Sequence, residues 1–102
     1  MKTKQSIRID FDNAMRQAAS ADNCSEELRN VERQLHEVIN ELSNGWKGEA
    51  ATLYLEKCEA LVKKIGKSAN DMNWISSTIK KTAKIYYETE KAALDLVNQK
   101  SI

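Results

Sequence analysis

From Ala51 to Val97 the chain repeats itself every seven residues without losing phase. One string reads Ala51, Cys58, Ile65, Met72, Ile79, Tyr86 and Ala93, and a second reads Tyr54, Leu61, Ser68, Ile75, Thr82, Thr89 and Leu96. A third, one residue on, is Leu55, Val62, Ala69, Ser76, Ala83, Glu90 and Val97. The string from Glu56 through Lys63, Asn70, Ser77, Lys84 and Lys91 to Asn98 is wholly polar. Residues seven apart lie on one stripe of a helix, so the pattern predicts a single helix from about Gly48 to Val97. The phase holds through Gly66, although a glycine inside a helix costs about 1 kcal/mol relative to alanine.

The first half has its own repeat: Ile7, Ala14, Ala21, Leu28, Leu35 and Leu42. A flanking string begins as Phe11 and Ala18 and then reads, shifted by one, Cys24, Val31 and Val38, with Ile39 alongside. The shift falls where Asp22, Asn23 and Ser25 offer capping side chains, so the helix is either irregular there or frays towards its start. The expectation is one continuous helix from about Asp10 to Ser43 and a turn over 44–48. The whole chain, 1–102, is then a single all-α domain, an antiparallel two-helix hairpin. Three adjacent apolar strings are wider than the seam of a two-stranded pair, and a hairpin gives each helix one neighbour. The surplus face predicts self-association or a helical partner chain, completing an elongated four-helix bundle. Leu28, Val31, Leu35, Val38, Leu42, Leu61, Ile65, Met72 and Ile79 are the expected core and dimer-interface residues.

Charge narrows the function classes. The 16 basic and 15 acidic residues are scattered and leave a net charge of +1, so no basic stripe offers itself to nucleic acid or an anionic membrane. No apolar h-region follows the first lysines and no run of about 18 apolar residues occurs. By ordinary rules this reads as a cytoplasmic protein with no membrane insertion. Cys24 and Cys58 lie too far apart along a hairpin for a disulfide within it and read as buried thiols. His36, among Glu32, Glu37 and Asn40, reads as a solvated surface residue. No spacing of His36 with the cysteines suits zinc or a nucleophile, and no glycine-rich phosphate loop occurs. Neither a catalytic site nor a cofactor or metal is expected. Trp74, outside the three apolar strings on the side of Lys67 and Lys81, is a candidate contact residue or packs under a lysine stem.

The turn itself is unusual. In Leu42–Ala51, LSNGWKGEAA, two of the three glycines flank Trp46. Asn44 and Gly45 are suited to ending the first helix with a left-handed residue, and Gly48 to starting the second. On spacing alone, Trp46 reads as a plug closing the end of the bundle. Trp46-Lys47-Gly48 at mid-chain, between proline-free amphipathic helices, resembles the WXG family, the early-secreted-antigen-like substrates of type VII (ESX) secretion in Gram-positive bacteria and mycobacteria. The resemblance covers nearly the whole chain. It implies a folded helical dimer made in the cytoplasm and exported without a cleaved signal peptide, with the type VII secretion ATPase as recipient.

The family's Tyr-x-x-x-Asp/Glu export signal is matched by Tyr86 and Glu90, which lie one turn apart on the same face. A carboxylate flanking a core costs stability unless paired or exposed. Glu90 therefore either serves that signal or is solvated where the helix outruns its partner near residue 88. In the family, the turn and the tyrosine motif are thought to meet across the dimer. The resemblance also accommodates an adaptor that pairs with the helical N-terminal domain of a larger LXG-type toxin and delivers it for secretion. A cytoplasmic coiled-coil scaffold with a chance Trp-X-Gly is the third reading.

Overall fold

The computed structural model describes residues 3–100. It contains two helices, α1 (Lys4–Gly45) and α2 (Glu49–Lys100), joined by residues 46–48. α1 starts at Lys4 rather than near Asp10 because Thr3 and Ser6 cap it reciprocally. The Ser6 amide donates to Thr3 Oγ1 and the Thr3 amide donates to Ser6 Oγ, each at 3.0 Å, satisfying two amides left without partners at a helix start. α1 is continuous through residues 20–25, and α2 runs unbroken through Gly66.

The helices pack as two compact units. One joins the residues up to Ala21 with those from Trp74 onward, and the other is the stretch Asp22–Asn73, which includes the turn. Within the second unit the Ser25 hydroxyl donates to the carbonyl oxygen of Ala69 at 2.9 Å, and the Arg29 guanidinium donates to Asn70 Oδ1 at 2.8 Å. Further along, the Glu32 carboxylate lies against Gly66, and Trp46 packs on Tyr54. As the chain is followed from Ser25 to Trp46, its partners run back from Ala69 to Tyr54, so the pairing is antiparallel. In the first unit, Ile7 shares a notch with Leu94, Asp10 bonds Tyr86 and Ala14 lines a groove with Ile79. That pairing is antiparallel too.

What each unit buries is small. In the first these residues are Ile7, Ala18, Ser76 and Ala83; in the second, Ser25, Ile39, Ala51, Val62 and Ala69. On α2 the third of the three strings therefore faces α1, through Val62, Ala69, Ser76 and Ala83. The second string lies outside: Leu61 is 49% and Tyr54 53% exposed.

The α1 pattern differs from the expected one. The string that starts with Phe11 and Ala18 does not shift to Cys24; it continues in phase through Ser25, half-buried Glu32 and buried Ile39. Two polar residues can hold the inward stripe because each is accommodated. Ser25 has its hydrogen bond across to Ala69, and Glu32 meets a residue without a side chain. A Cβ on Gly66 would fall 2.3 Å from Glu32 Oε2. Val31 and Val38 are consequently turned outward, Val38 being 47% exposed. Cys24 is exposed and Cys58 half-buried, and both are free thiols, which corrects the expectation that both are buried. Cys24 lies outside for the same reason as Val31 and Val38, since Ser25 holds the inward position.

Ser76 is 1% exposed and its hydroxyl has no hydrogen-bond partner among the described residues. A buried hydroxyl left unbonded costs roughly 1–3 kcal/mol, and alanine is the better helix former. Ser76→Ala is accordingly expected to stabilise the protein by about 1 kcal/mol, measured as the shift in urea midpoint at unchanged slope.

Candidate recognition surfaces at the turn and on α2

The turn is built by one glycine. Gly48 has φ +115°, a backbone region that side-chain-bearing residues rarely adopt, and it is the only positive φ among the described residues. Gly45 is not the left-handed cap expected of it. It closes α1 in helical conformation, and the Trp46 amide still donates to the Leu42 carbonyl at 2.8 Å. Lys47 caps the end instead, its ammonium donating to the Ser43 carbonyl at 3.2 Å, where the negative end of the helix dipole favours a cation. At the start of α2 the Gly48 carbonyl accepts from the Thr52 amide at 3.0 Å and from its hydroxyl at 3.1 Å. Glu49 places a negative charge in the first turn, again with the dipole.

This geometry sends Trp46 outward. Its ring meets Tyr54 edge-on, with centroids 5.4 Å apart and planes at 60°, in the arrangement aromatic pairs prefer. Trp46 remains 41% exposed, and Leu53 and Tyr54 beside it are exposed as well. The indole is not a buried plug; together with these two it forms an apolar cap on the turn.

On α2, consecutive tyrosines are held by consecutive residues of α1. Tyr86 Oη donates to Asp10 Oδ2 at 2.6 Å, while Tyr87 packs on Phe11 with centroids 5.1 Å apart. Lys91 Nζ lies 5.9 Å from the Tyr87 centroid, within the range of a cation–π contact. Asp10 and Tyr86 wall a groove of about 460 Å³ floored by Ala14, Ile79 and Ala83. Glu90 is half-buried. The alternative in which α2 outruns its partner near residue 88 fails, because Ile7 is buried and Lys4 and Ile7 share a notch with Leu94 and Asp95. The early cap at Thr3 is what extends α1 that far.

The Trp46–Gly48 turn belongs to one unit and the Tyr86–Glu90 pair to the other. Of the expected interface residues, Leu28, Leu35, Leu42, Ile65, Met72 and Ile79 are half-buried and Val31, Val38 and Leu61 exposed. Not one of the nine is buried within the chain. Trp74 is 69% exposed. Its indole is not packed away beneath a lysine stem.

His36 is exposed and lines an open polar groove with Arg29, Glu32, Glu59 and Lys63. Among the described residues, no three His, Cys, Asp or Glu side chains converge to hold a metal ion, and no helix is long and apolar enough to cross a membrane. Asp10 gives little sign of its pairing in the sequence, because its partner lies far along the chain. The only local hint was a carboxylate immediately before Phe11, at the edge of the buried stripe.

Compared with known proteins, residues 6–91 match the model of the WXG100 family, described as proteins of 100 residues with WXG. Neither a curated protein nor a solved structure matches the chain.

The two glycines of the turn should respond oppositely to alanine. Nothing lies within 4 Å of a Cβ at either position, so backbone conformation alone decides. Gly48→Ala is expected to cost about 1 kcal/mol or more, whereas Gly45→Ala is neutral or slightly stabilising. Paired thermal melts of the two variants check this.

Proposed function

The chain belongs to the WXG100 family, and on that footing we propose that it is exported by a type VII secretion system as a folded homodimeric helical bundle. The family consists of small helical-hairpin proteins of the type VII kind that generally work as helical partners or dimers and are not known as enzymes. In the proposed reading the protein acts through protein–protein contact, without a cofactor, and leaves the cytoplasm without a cleaved signal peptide. Tyr86 and Glu90 form the export signal read by the secretion ATPase, and the Trp46–Gly48 turn of one copy completes that surface beside the signal of the other.

The observation that carries this reading is the inversion of size between inside and outside. Alanine and serine fill most of the buried positions, while Val31, Val38, Tyr54 and Leu61 are left exposed. Val31 and Val38 stand one position before Ser25 and Glu32 in the seven-residue cycle, and Tyr54 and Leu61 stand one position before Leu55 and Val62. In an antiparallel pair, the same offset from the inward stripe puts both sets on one side. The opposite side of that unit is the polar groove lined by Arg29, His36, Glu59 and Lys63. A single apolar side backed by a charged one suits a second helical pair laid against it. Trp46 and its exposed neighbours at the turn are a suitable aromatic anchor for recognition.

Exchanging Trp46 or Glu90 for alanine is expected to abolish appearance of the protein in culture supernatant while cellular helicity and dimer mass stay unchanged. Trp46 makes one ring contact and Glu90 is only half-buried, so neither change removes a core residue. Export of both variants at the parental level would contradict the signal assignment. Co-purification of the chain with a larger toxin, in place of secretion on its own, would favour the adaptor role.

A further inference from the structure

We propose that Asp10 is a positioning residue for the export signal, holding the Tyr86 ring so that the signal is legible only when α1 is docked on α2. The inference rests on the reading of Tyr86 and Glu90 given above and adds a residue to it. A phenol bonded to a carboxylate at 2.6 Å is a charge-assisted hydrogen bond, about twice as strong as a neutral one. It fixes a side chain that would otherwise turn about two torsions on the surface of a single helix.

The bond is set into a supporting frame. Phe11, the residue after Asp10, packs on Tyr87, the residue after Tyr86, so α1 grips both tyrosines side by side. The Tyr86 ring borders an apolar groove with Ala14, Ile79, Thr82 and Ala83 and is half-buried there. With the hydroxyl engaged inside the chain, the features left for a receptor are the ring and the Glu90 carboxylate one turn further on. The recognition chemistry that fits is an apolar cleft beside a cation. An unfolded or separated α2 would carry the same residues with the ring unplaced, which ties recognition to the folded hairpin.

The test uses the full chain in cells carrying its secretion system, with exported and cellular amounts measured together and helicity and melting followed on purified protein. Asp10→Ala and Tyr86→Phe should each lower export by roughly tenfold or more, in keeping with the loss of one charged hydrogen bond. The double variant should be no worse than either single one, as expected when both remove the same interaction. Asp10→Asn retains an oxygen acceptor and should restore most of the export, which a loss of charge alone would not allow. Export of Asp10→Ala at the parental level, with Glu90→Ala defective, overturns the positioning role and leaves the signal assignment standing. A defect in Tyr86→Phe alone also overturns it, since the hydroxyl would then be read directly by the receptor. If Glu90→Ala and Tyr86→Ala are both exported normally, the signal assignment falls and this proposal with it. Should Asp10→Ala lose helicity, normal export of a folded Tyr86→Phe is sufficient to overturn the proposal.

Discussion

The hydroxyl of Ser25 reaches the carbonyl oxygen of Ala69 on the other helix at 2.9 Å, which requires the two backbones to approach closely. They do so because the facing residues are small. Ala18, Ala69 and Ala83 hold the same inward stripes and are almost wholly enclosed. Where alanine and serine form the seam there is little space for leucine or tyrosine, so most of the larger apolar side chains lie on the flanks. Burying one such side chain is worth roughly 1.5–3 kcal/mol, and within the chain that gain is only partly realised. The hairpin is thereby left with many of its larger apolar side chains on its surface.

How much of this the sequence revealed depended on whether the stripe stayed apolar. On α2 the three strings keep phase past Gly66, and one helix is legible throughout. Which string faces inward is not legible there, because hydrophobicity ranks leucine and tyrosine above alanine and serine while close approach selects the reverse. On α1 the inward stripe passes through Ser25 and Glu32, and a reading by hydrophobicity steps sideways onto Cys24, Val31 and Val38. The true phase depends on partners more than thirty residues away in sequence, a carbonyl at Ala69 and the missing side chain of Gly66. The start of α1 could have been read from Thr3 and Ser6, had a serine been counted where glutamate usually closes such a cap.

The candidate recognition surfaces divide in the same way. Trp46-Lys47-Gly48 and Tyr86-x-x-x-Glu90 are local patterns, and local patterns survive in a sequence. Within the turn, Gly45 and Gly48 both read as turn glycines, and only the path of the chain shows that the positive φ falls at Gly48 and that Gly45 stays helical. The engagement of Tyr86 by Asp10 is a pairing across the hairpin, and no periodicity within one helix encodes it. Trp74 stays exposed, and no packing role within the chain accounts for it.

The claim on which the rest turns is that the exposed apolar side is covered by a second copy of the same hairpin. Light scattering on a sizing column, with the chain expressed alone, tests it most directly. The expected mass is twice the 11.6 kDa of the chain, reduced to that of a single chain when Val38 and Leu61 are both replaced by glutamate. A parental protein that runs as a stable monomer would contradict it, and the apolar side would then await a different helical partner.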